Sequence, residues 1–281
     1  MKKVISIYLA FYLAFFIGCA SAGAEKVSVD LELALGVDVS GSVDEEEAML
    51  QRNGYINAFR HPAILEAIQR GPKGRIAVGY YEWAGFGHMK IIVPWTLIKD
   101  KKSALEFANA LSKEEPQTAR RTAISAGIMM GAEWFDKNNF TGVRRVIDIS
   151  GDGPNNWGEP VNVVRDRVAS RGITINGLPI VNDRPTFSGR PPLKDLDLYY
   201  RDCVIGGPGA FYVVARDFKD FGRAVMRKLI MEIANLKGED RLIRFANFQP
   251  RRGPACDIGE RQRMWQSLDD DEYFFQLPRQ K

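Results

Sequence analysis

Apolar and polar positions follow two rhythms along the chain. Short apolar or β-rich runs, of a length suited to strands, recur at Leu31–Val37, Arg75–Trp83, Lys90–Trp95, Arg145–Ile149, Ile173–Ile180 and Ala210–Val214. Between them the spacing changes to the three-to-four-residue period of helices that face a core. One helix is predicted to start in the acidic stretch Asp44–Glu47 and to end near Arg60, and a short one starts at Pro62. Lys101–Leu111, Thr122–Phe135, Val161–Ser170, a short segment about Asp195–Tyr200, and Phe218–Leu236 follow. Gly71, Pro72 and Gly74 break the second helix, and Gly85, Phe86 and Gly87 separate two strands as a hairpin-like pair with a longer loop.

Strands that alternate with helices predict an α/β domain: a doubly wound, mostly parallel sheet with one antiparallel edge strand and helices on both faces. Ligands of such sheets gather at the carboxyl ends of the strands. The two ends of the chain read differently. Lys2 and Lys3 precede the apolar run Val4–Ile17, and small residues follow at Ala20, Ala22 and Ala24, the pattern of a secretory signal peptide over residues 1–24. The run is shorter than the roughly 20 apolar residues that a spanning helix needs. An uncleaved anchor is one alternative; lipidation at Cys19 is another, because Phe16-Ile17-Gly18-Cys19 resembles a lipobox. Residues 25–236 form the domain. In 237–281 the periodicity fades and basic stretches alternate with the acidic run Asp269–Glu272, which predicts a C-terminal extension, partly ordered at best. The expected location is periplasmic or secreted, with membrane contact only through a lipid at Cys19.

Charge and cysteine usage narrow the partners. The formal net charge is +4, and loss of Lys2 and Lys3 with the leader lowers it to +2. No basic stripe with interleaved aromatics marks a nucleic-acid surface, and the Arg251-Arg252 pair reads as a solvated face. Cys19 leaves with the leader, so Cys203 and Cys256 remain in an oxidising compartment. A disulfide between them is expected to staple the extension to the domain; two buried free thiols are the alternative.

The candidate chemistry lies just after the first strand. Asp38-Val39-Ser40-Gly41-Ser42 can turn three oxygens into one loop. Hard oxygen donors suit Mg²⁺, Mn²⁺ or Ca²⁺ and suit zinc poorly. Asp-x-Ser-x-Ser alone is weak, since Asp and Ser also serve turns and helix caps. Thr122, which opens a predicted helix, and Asp152, which follows the strand Arg145–Ile149 and precedes Gly153, fall at the same end of the predicted sheet. The ordered set resembles the metal-ion-dependent adhesion site of the von Willebrand factor A family: Asp-x-Ser-x-Ser, then Thr, then Asp in an Asp-Gly pair. The resemblance covers about residues 28–236. Val146-Ile147-Asp148-Ile149-Ser150-Gly151-Asp152-Gly153 and Cys203-Val204-Ile205-Gly206-Gly207-Pro208-Gly209-Ala210-Phe211 are, more narrowly, similar to a family of exported bacterial proteins of unknown function with this fold.

The resemblance implies that Asp38, Ser40, Ser42, Thr122 and Asp152 hold one divalent cation, Mg²⁺ first and Mn²⁺ or Ca²⁺ as alternatives, some of them through water. It also implies a protein partner that supplies an exposed Asp or Glu. Ser150-Gly151 ahead of Asp152 departs from the apolar residues usual there and leaves the backbone path of that loop open. Asp148 reads equally as an acceptor that orients a ligand and as a structural hydrogen bond to a backbone amide. Arg120 and Arg121, with Asn155, Asn156 and Trp157, are expected either to rim the site or to be solvated and packed under their loop.

Catalysis is not expected. A metal-dependent hydrolase needs a general acid or base, and the two histidines, His61 and His88, are placed away from the metal face. The haloacid-type Asp-x-Asp is absent, as is a Gly-rich phosphate loop with Lys. The expectation is an exported, divalent-metal-dependent binding module. A structural or assembly domain with a vestigial metal site, and then a hydrolase, are the alternatives.

Overall fold

The structure, a computed structural model, describes residues 25–85, 87–182, 191–235 and 251–264. The expected leader, most of the Pro-rich loop, Leu236 and much of the expected C-terminal extension lie outside these residues.

Strand β1 (Val27–Asp38) is central. It pairs in parallel with β2 (Ile76–Trp83) on one side and β4 (Phe140–Gly151) on the other; β5 (Thr174–Pro179) extends the parallel sheet beyond β4, and β3 (Met89–Ile98) closes the opposite edge antiparallel to β2. Alternation along β1 sends its side chains to two cores. Leu31, Leu33, Leu35 and Val37 join the cluster formed with α1 (Glu45–Arg60), α2 (Pro62–Gln69), α3 (Lys101–Leu111) and α7 (Phe221–Ile233). Ala34 turns to the cluster formed with α4 (Ile124–Trp134), α5 (Val161–Ala169) and α6 (Leu196–Tyr199), which widens into a π turn at Tyr200–Val204. The doubly wound sheet with one antiparallel edge is therefore as the periodicity predicts.

Two elements differ from expectation. The run Ala210–Val214 does not form a full strand: it touches β5 through an isolated bridge from Tyr212 to Gly177, and a second bridge, Ala215 to Ile180, lies just past both. The Asn176 side chain accepts the Phe211 N–H at 2.9 Å, which takes up a donor that a regular ladder would use. Helix α4 starts at Ile124, so Thr122 lies in the turn ahead of the helix instead of opening it.

Register sets the site. Asp38 stands level with Trp83, Val37 with Ser150, and Gly151 with Pro179, so four parallel strands end at one rim. The hairpin loop after β2 opens at that rim as well, because β2 runs parallel to β1. His88 lies in this loop, which corrects the expectation that both histidines stand away from the metal face.

Residues 258–264 are helical, and Cys203 and Cys256 form the expected disulfide.

Candidate metal centre

Asp38, the last residue of β1, is fully buried. Its Oδ1 accepts the Ser40 N–H at 2.7 Å, an Asx turn that folds Ser40 and Ser42 back toward the strand end. Helix α1 supports the turn from below, where Gln51 Nε2 donates to the Asp38 carbonyl at 3.4 Å. Asp38 Oδ2 is buried and has no hydrogen-bond partner among the described residues.

From Ser40 a string of side chains crosses three loops. Thr122 Oγ1 donates to Ser40 Oγ at 3.2 Å, Ser40 Oγ and Ser42 Oγ are 3.1 Å apart, and Ser42 Oγ donates to Asp152 Oδ1 at 2.6 Å. Ser42 has one hydroxyl proton and commits it to Asp152, so Ser40 is the donor in the middle pair. All five residues that the sequence singles out thus meet in one network. Ser42, partly exposed, marks where it opens to solvent.

The second and third loops hold each other. Helix α4 has no side-chain cap of its own at Ala123. Asn155 Oδ1 instead accepts the Ser125 N–H at 3.0 Å, and Asn156 Oδ1 accepts the Thr122 N–H at 2.9 Å while Asn156 N donates to the Thr122 carbonyl. The Ser125 amide, left over at the helix start, and the Thr122 amide ahead of it are both satisfied from another loop. Sequence reading placed Asn155 and Asn156 at the rim; the structure buries Asn155 fully and makes both into caps. Arg121, directly before Thr122, takes the left-handed conformation at φ 71°, which a residue with a side chain adopts at a cost. Arg120 is exposed beside it, and Trp157 lies under the Arg263 guanidinium at 4.9 Å.

Gly151 resolves the open question about the third loop. A Cβ there would lie 2.9 Å from Asp38 Oδ2 and 2.9 Å from the Tyr200 hydroxyl. Glycine keeps that space clear. Gln51 and Tyr200 are site neighbours that sequence reasoning missed, and no local pattern around either marks them.

Among the described residues, no hydrogen bond joins Asp148 to the five site residues or to a backbone amide. Its carboxylate lies 2.5 Å from Lys228 Nζ of α7, which also meets Glu232 Oε1 at 2.6 Å, and all three groups are buried.

The electrostatics ask for a cation. Burial pushes the Asp38 carboxyl well above the usual range, and the charge of Asp152 adds to the shift. Burial raises Asp152 to about 6; the Ser42 hydrogen bond opposes this and Glu47 reinforces it. Neither acid forms an ion pair with a described Lys or Arg. Two carboxylates removed from water without a counter-charge are costly. A hard divalent ion matches what is present: a partnerless carboxylate oxygen, a second acid and three hydroxyls. Among the described residues no group of three or more His, Cys, Asp or Glu is placed to hold a metal; this set reaches five oxygens only through its hydroxyls.

The family model described as protein of unknown function (DUF1194) matches residues 28–237. No curated protein matches the chain. Among solved structures, the pilus adhesin SpaC from Lactobacillus rhamnosus GG is similar at TM-score 0.53 and 15% identity, over 75% of this chain and 32% of that one. A von Willebrand factor type A protein from Catenulispora acidiphila is similar at TM-score 0.47 and 12% identity, over 74% and 42%. Proximal thread matrix protein 1 from the mussel byssus, with a zinc-occupied MIDAS motif, is similar at 0.49 and 15%, over 75% and 49%. The chain therefore spans half or less of the length of these structures, and at these identities the likeness is one of fold.

Proposed function

The chain belongs to the family described as protein of unknown function (DUF1194), and from the site it carries we propose that it is an exported, divalent-metal-dependent binding module that recognises an acidic group of a protein partner. The observation that carries this reading is the buried pair Asp38 and Asp152, tied together through Ser40 and Ser42 and without a cationic partner among the described residues.

Bound there, a Mg²⁺, Mn²⁺ or Ca²⁺ ion would supply a Lewis-acidic position for an incoming Asp or Glu carboxylate. The protein's own residues decide how strongly. Within the ligand set Asp38 and Asp152 are the two acids, while Ser40, Ser42 and Thr122 are neutral and offer lone pairs. Such a set leaves little surplus anionic charge to repel a partner's acid, and exposed Arg120 beside Thr122 favours it. Asn155 and Asn156 keep Thr122 in place, and Gly151 keeps the space next to Asp38 clear.

A non-catalytic role is supported by the surroundings. His61 caps α2 through Nδ1, and no hydrogen bond joins either histidine to the five site residues among those described. Export rests on the leader pattern in residues 1–24, and no helix among the described residues is long and apolar enough to cross a membrane. A fold shared with a pilus adhesin is compatible with binding.

The test is capture of a partner from envelope extract on the immobilised mature protein, with Mg²⁺ and with a chelator. Recovery with metal only, lost when the partner's contacting acid is changed to Asn or Gln, is expected. Binding that survives both changes would replace this reading with a structural domain.

A further inference from the structure

Residues 251–264 run back over the domain as a strap that ends on the third loop of the metal centre. Its first part is tied to the segment around α6: Arg251 Nη2 meets Asp195 at 2.7 Å, Arg201 donates to the Arg251 carbonyl at 2.7 Å, and Gly253 N donates to Asp202 Oδ2 at 2.8 Å. The Cys203–Cys256 disulfide then fixes it covalently. Beyond the disulfide the strap touches Asn155. Glu260 Oε1 accepts from Asn155 Nδ2 at 2.7 Å. The Tyr199 hydroxyl accepts from Asn155 N at 3.1 Å and donates to the Cys256 carbonyl at 3.3 Å. Gly259 lies so close that a Cβ there would stand 2.1 Å from the Asn155 carbonyl oxygen, so the contact is backbone against backbone.

Asn155 is therefore a joint. One end of its side chain is held by the strap, with a longer bond to the Glu159 carbonyl at 3.2 Å, and the other caps Ser125 in the first turn of α4. It sits between Asp152, a ligand of the proposed site, and Asn156, which holds the ligand Thr122. The loop that carries these residues contains Gly153 and Gly158, and such a backbone has little rigidity of its own. Groups that stand behind metal ligands commonly set affinity by orienting them.

We propose that the disulfide-tethered strap is a working part of the metal centre: Glu260, by holding Asn155, fixes the third loop against the start of α4, so the affinity for a divalent cation depends on a segment that contributes no ligand. Glu260 and Asn155 are positioning residues. The inference rests on the metal-binding reading of Asp38, Ser40, Ser42, Thr122 and Asp152.

The test uses the full mature chain and Mn²⁺ as the probe, with affinity measured by titration calorimetry well below the unfolding temperature. Glu260→Ala, Gly259→Ala and the pair Cys203→Ala/Cys256→Ala are each expected to weaken Mn²⁺ binding roughly tenfold. Glu260→Gln should restore it, because its amide oxygen still accepts from Asn155. Variants that melt earlier yet bind Mn²⁺ like the wild type would reduce the strap to a stabilising element and overturn the proposal. A second readout, amide exchange at Thr122 and Ser125 in metal-free protein, should be faster in Glu260→Ala and normal in Glu260→Gln. Unchanged exchange overturns the positioning role whether or not metal binds. Absence of Mn²⁺ binding by the wild type, with exchange altered as expected, overturns the metal reading and with it the proposed link to affinity.

Discussion

Ser42 Oγ donates to Asp152 Oδ1 at 2.6 Å and so joins two loops that lie 110 residues apart. The bond gives direction to the whole string, since Thr122, Ser40 and Ser42 pass their protons one way toward the only carboxylate at its end. In the metal-free protein this hydroxyl is the first of the hydrogen bonds that compensate Asp152, with its own backbone amide and the Asn182 side chain, against burial and the nearby charge of Glu47.

Replacement of Asp152 by Asn should therefore act with opposite signs on two measurements. Without metal the variant loses a poorly compensated buried acid, and its melting temperature should hold or rise. With Mg²⁺ at about a hundred times its dissociation constant the wild type should gain roughly 2.7 kcal/mol, or on the order of 5–10 °C for a domain of this size, and the variant should gain almost none. Scanning calorimetry with Mg²⁺ and with chelator checks both. An equal Mg²⁺-induced shift in the two proteins would remove Asp152 from the ligand set.

Stability should fall as the pH rises toward neutral, because of Asp148. Its pKa is raised to about 7 by burial first and then by the Glu232 charge, with Lys228 opposing. Tyr55 of α1, Tyr81 of β2 and Tyr200 also feel the charge of Asp148, and none of them neutralises it. A folded-state pKa above the unfolded value means that the native protein binds the extra proton between about pH 4 and 7. The group thus costs nothing below pH 4, and its cost grows through that window by at most about 1.4 kcal/mol per pH unit. Urea titrations at several pH values, in chelator, should show a steeper decline for the wild type than for Asp148→Asn. Parallel profiles would rule out Asp148 as the titrating group.

Opening the disulfide should cost stability throughout the domain. With the cysteines 53 residues apart, the chain-entropy model gives about 4 kcal/mol. Denaturant unfolding of Cys203→Ala/Cys256→Ala against the wild type measures it. A lower midpoint is expected, with a slope that steepens as the opened unfolded chain exposes more surface; no shift would mean that the unfolded chain gains little freedom from the break.

The parts of this structure that could be read from sequence are those in which local pattern and chemistry agree. Strand β1 ends in Asp38 because an apolar run meets a turn-forming Asp-x-Ser-x-Ser, and the same logic placed Asp152 after β4. What failed depends on distant partners. The start of α4 was misplaced because its caps are Asn155 and Asn156, which belong to another loop. The run Ala210–Val214 promised a strand, but the Asn176 side chain intercepts the Phe211 amide. His88 was set on the wrong end because the direction of β2 follows from pairing, not from its own residues. Glu260 is 105 positions from Asn155, and Lys228 belongs to a helix that reads from its sequence as an ordinary amphipathic one. Neither contact has a local signature.

Lys228 provides the sharpest test of how α7 is joined to the strand that leads into the site. Its ammonium, fully buried, lies between Asp148 of β4 and Glu232 one turn further along α7, and Glu232 in turn accepts from Asn176 of β5 at 2.9 Å. Truncation of one partner of a buried ion pair leaves the others uncompensated, which costs roughly 3–5 kcal/mol, whereas removal of charge on both sides costs far less. Lys228→Met should therefore be strongly destabilising, and Asp148→Asn added to it should recover part of the loss, because one of the two stranded acids is gone. The coupling read from the four-way cycle in urea should be favourable and in the range of 0.5–3 kcal/mol that contacting residues show. Additive effects would mean that Lys228 is held by Glu232 alone. In that case α7 would be tied to β5 through Asn176 and would have no direct ionic link to β4, the strand that delivers Asp152.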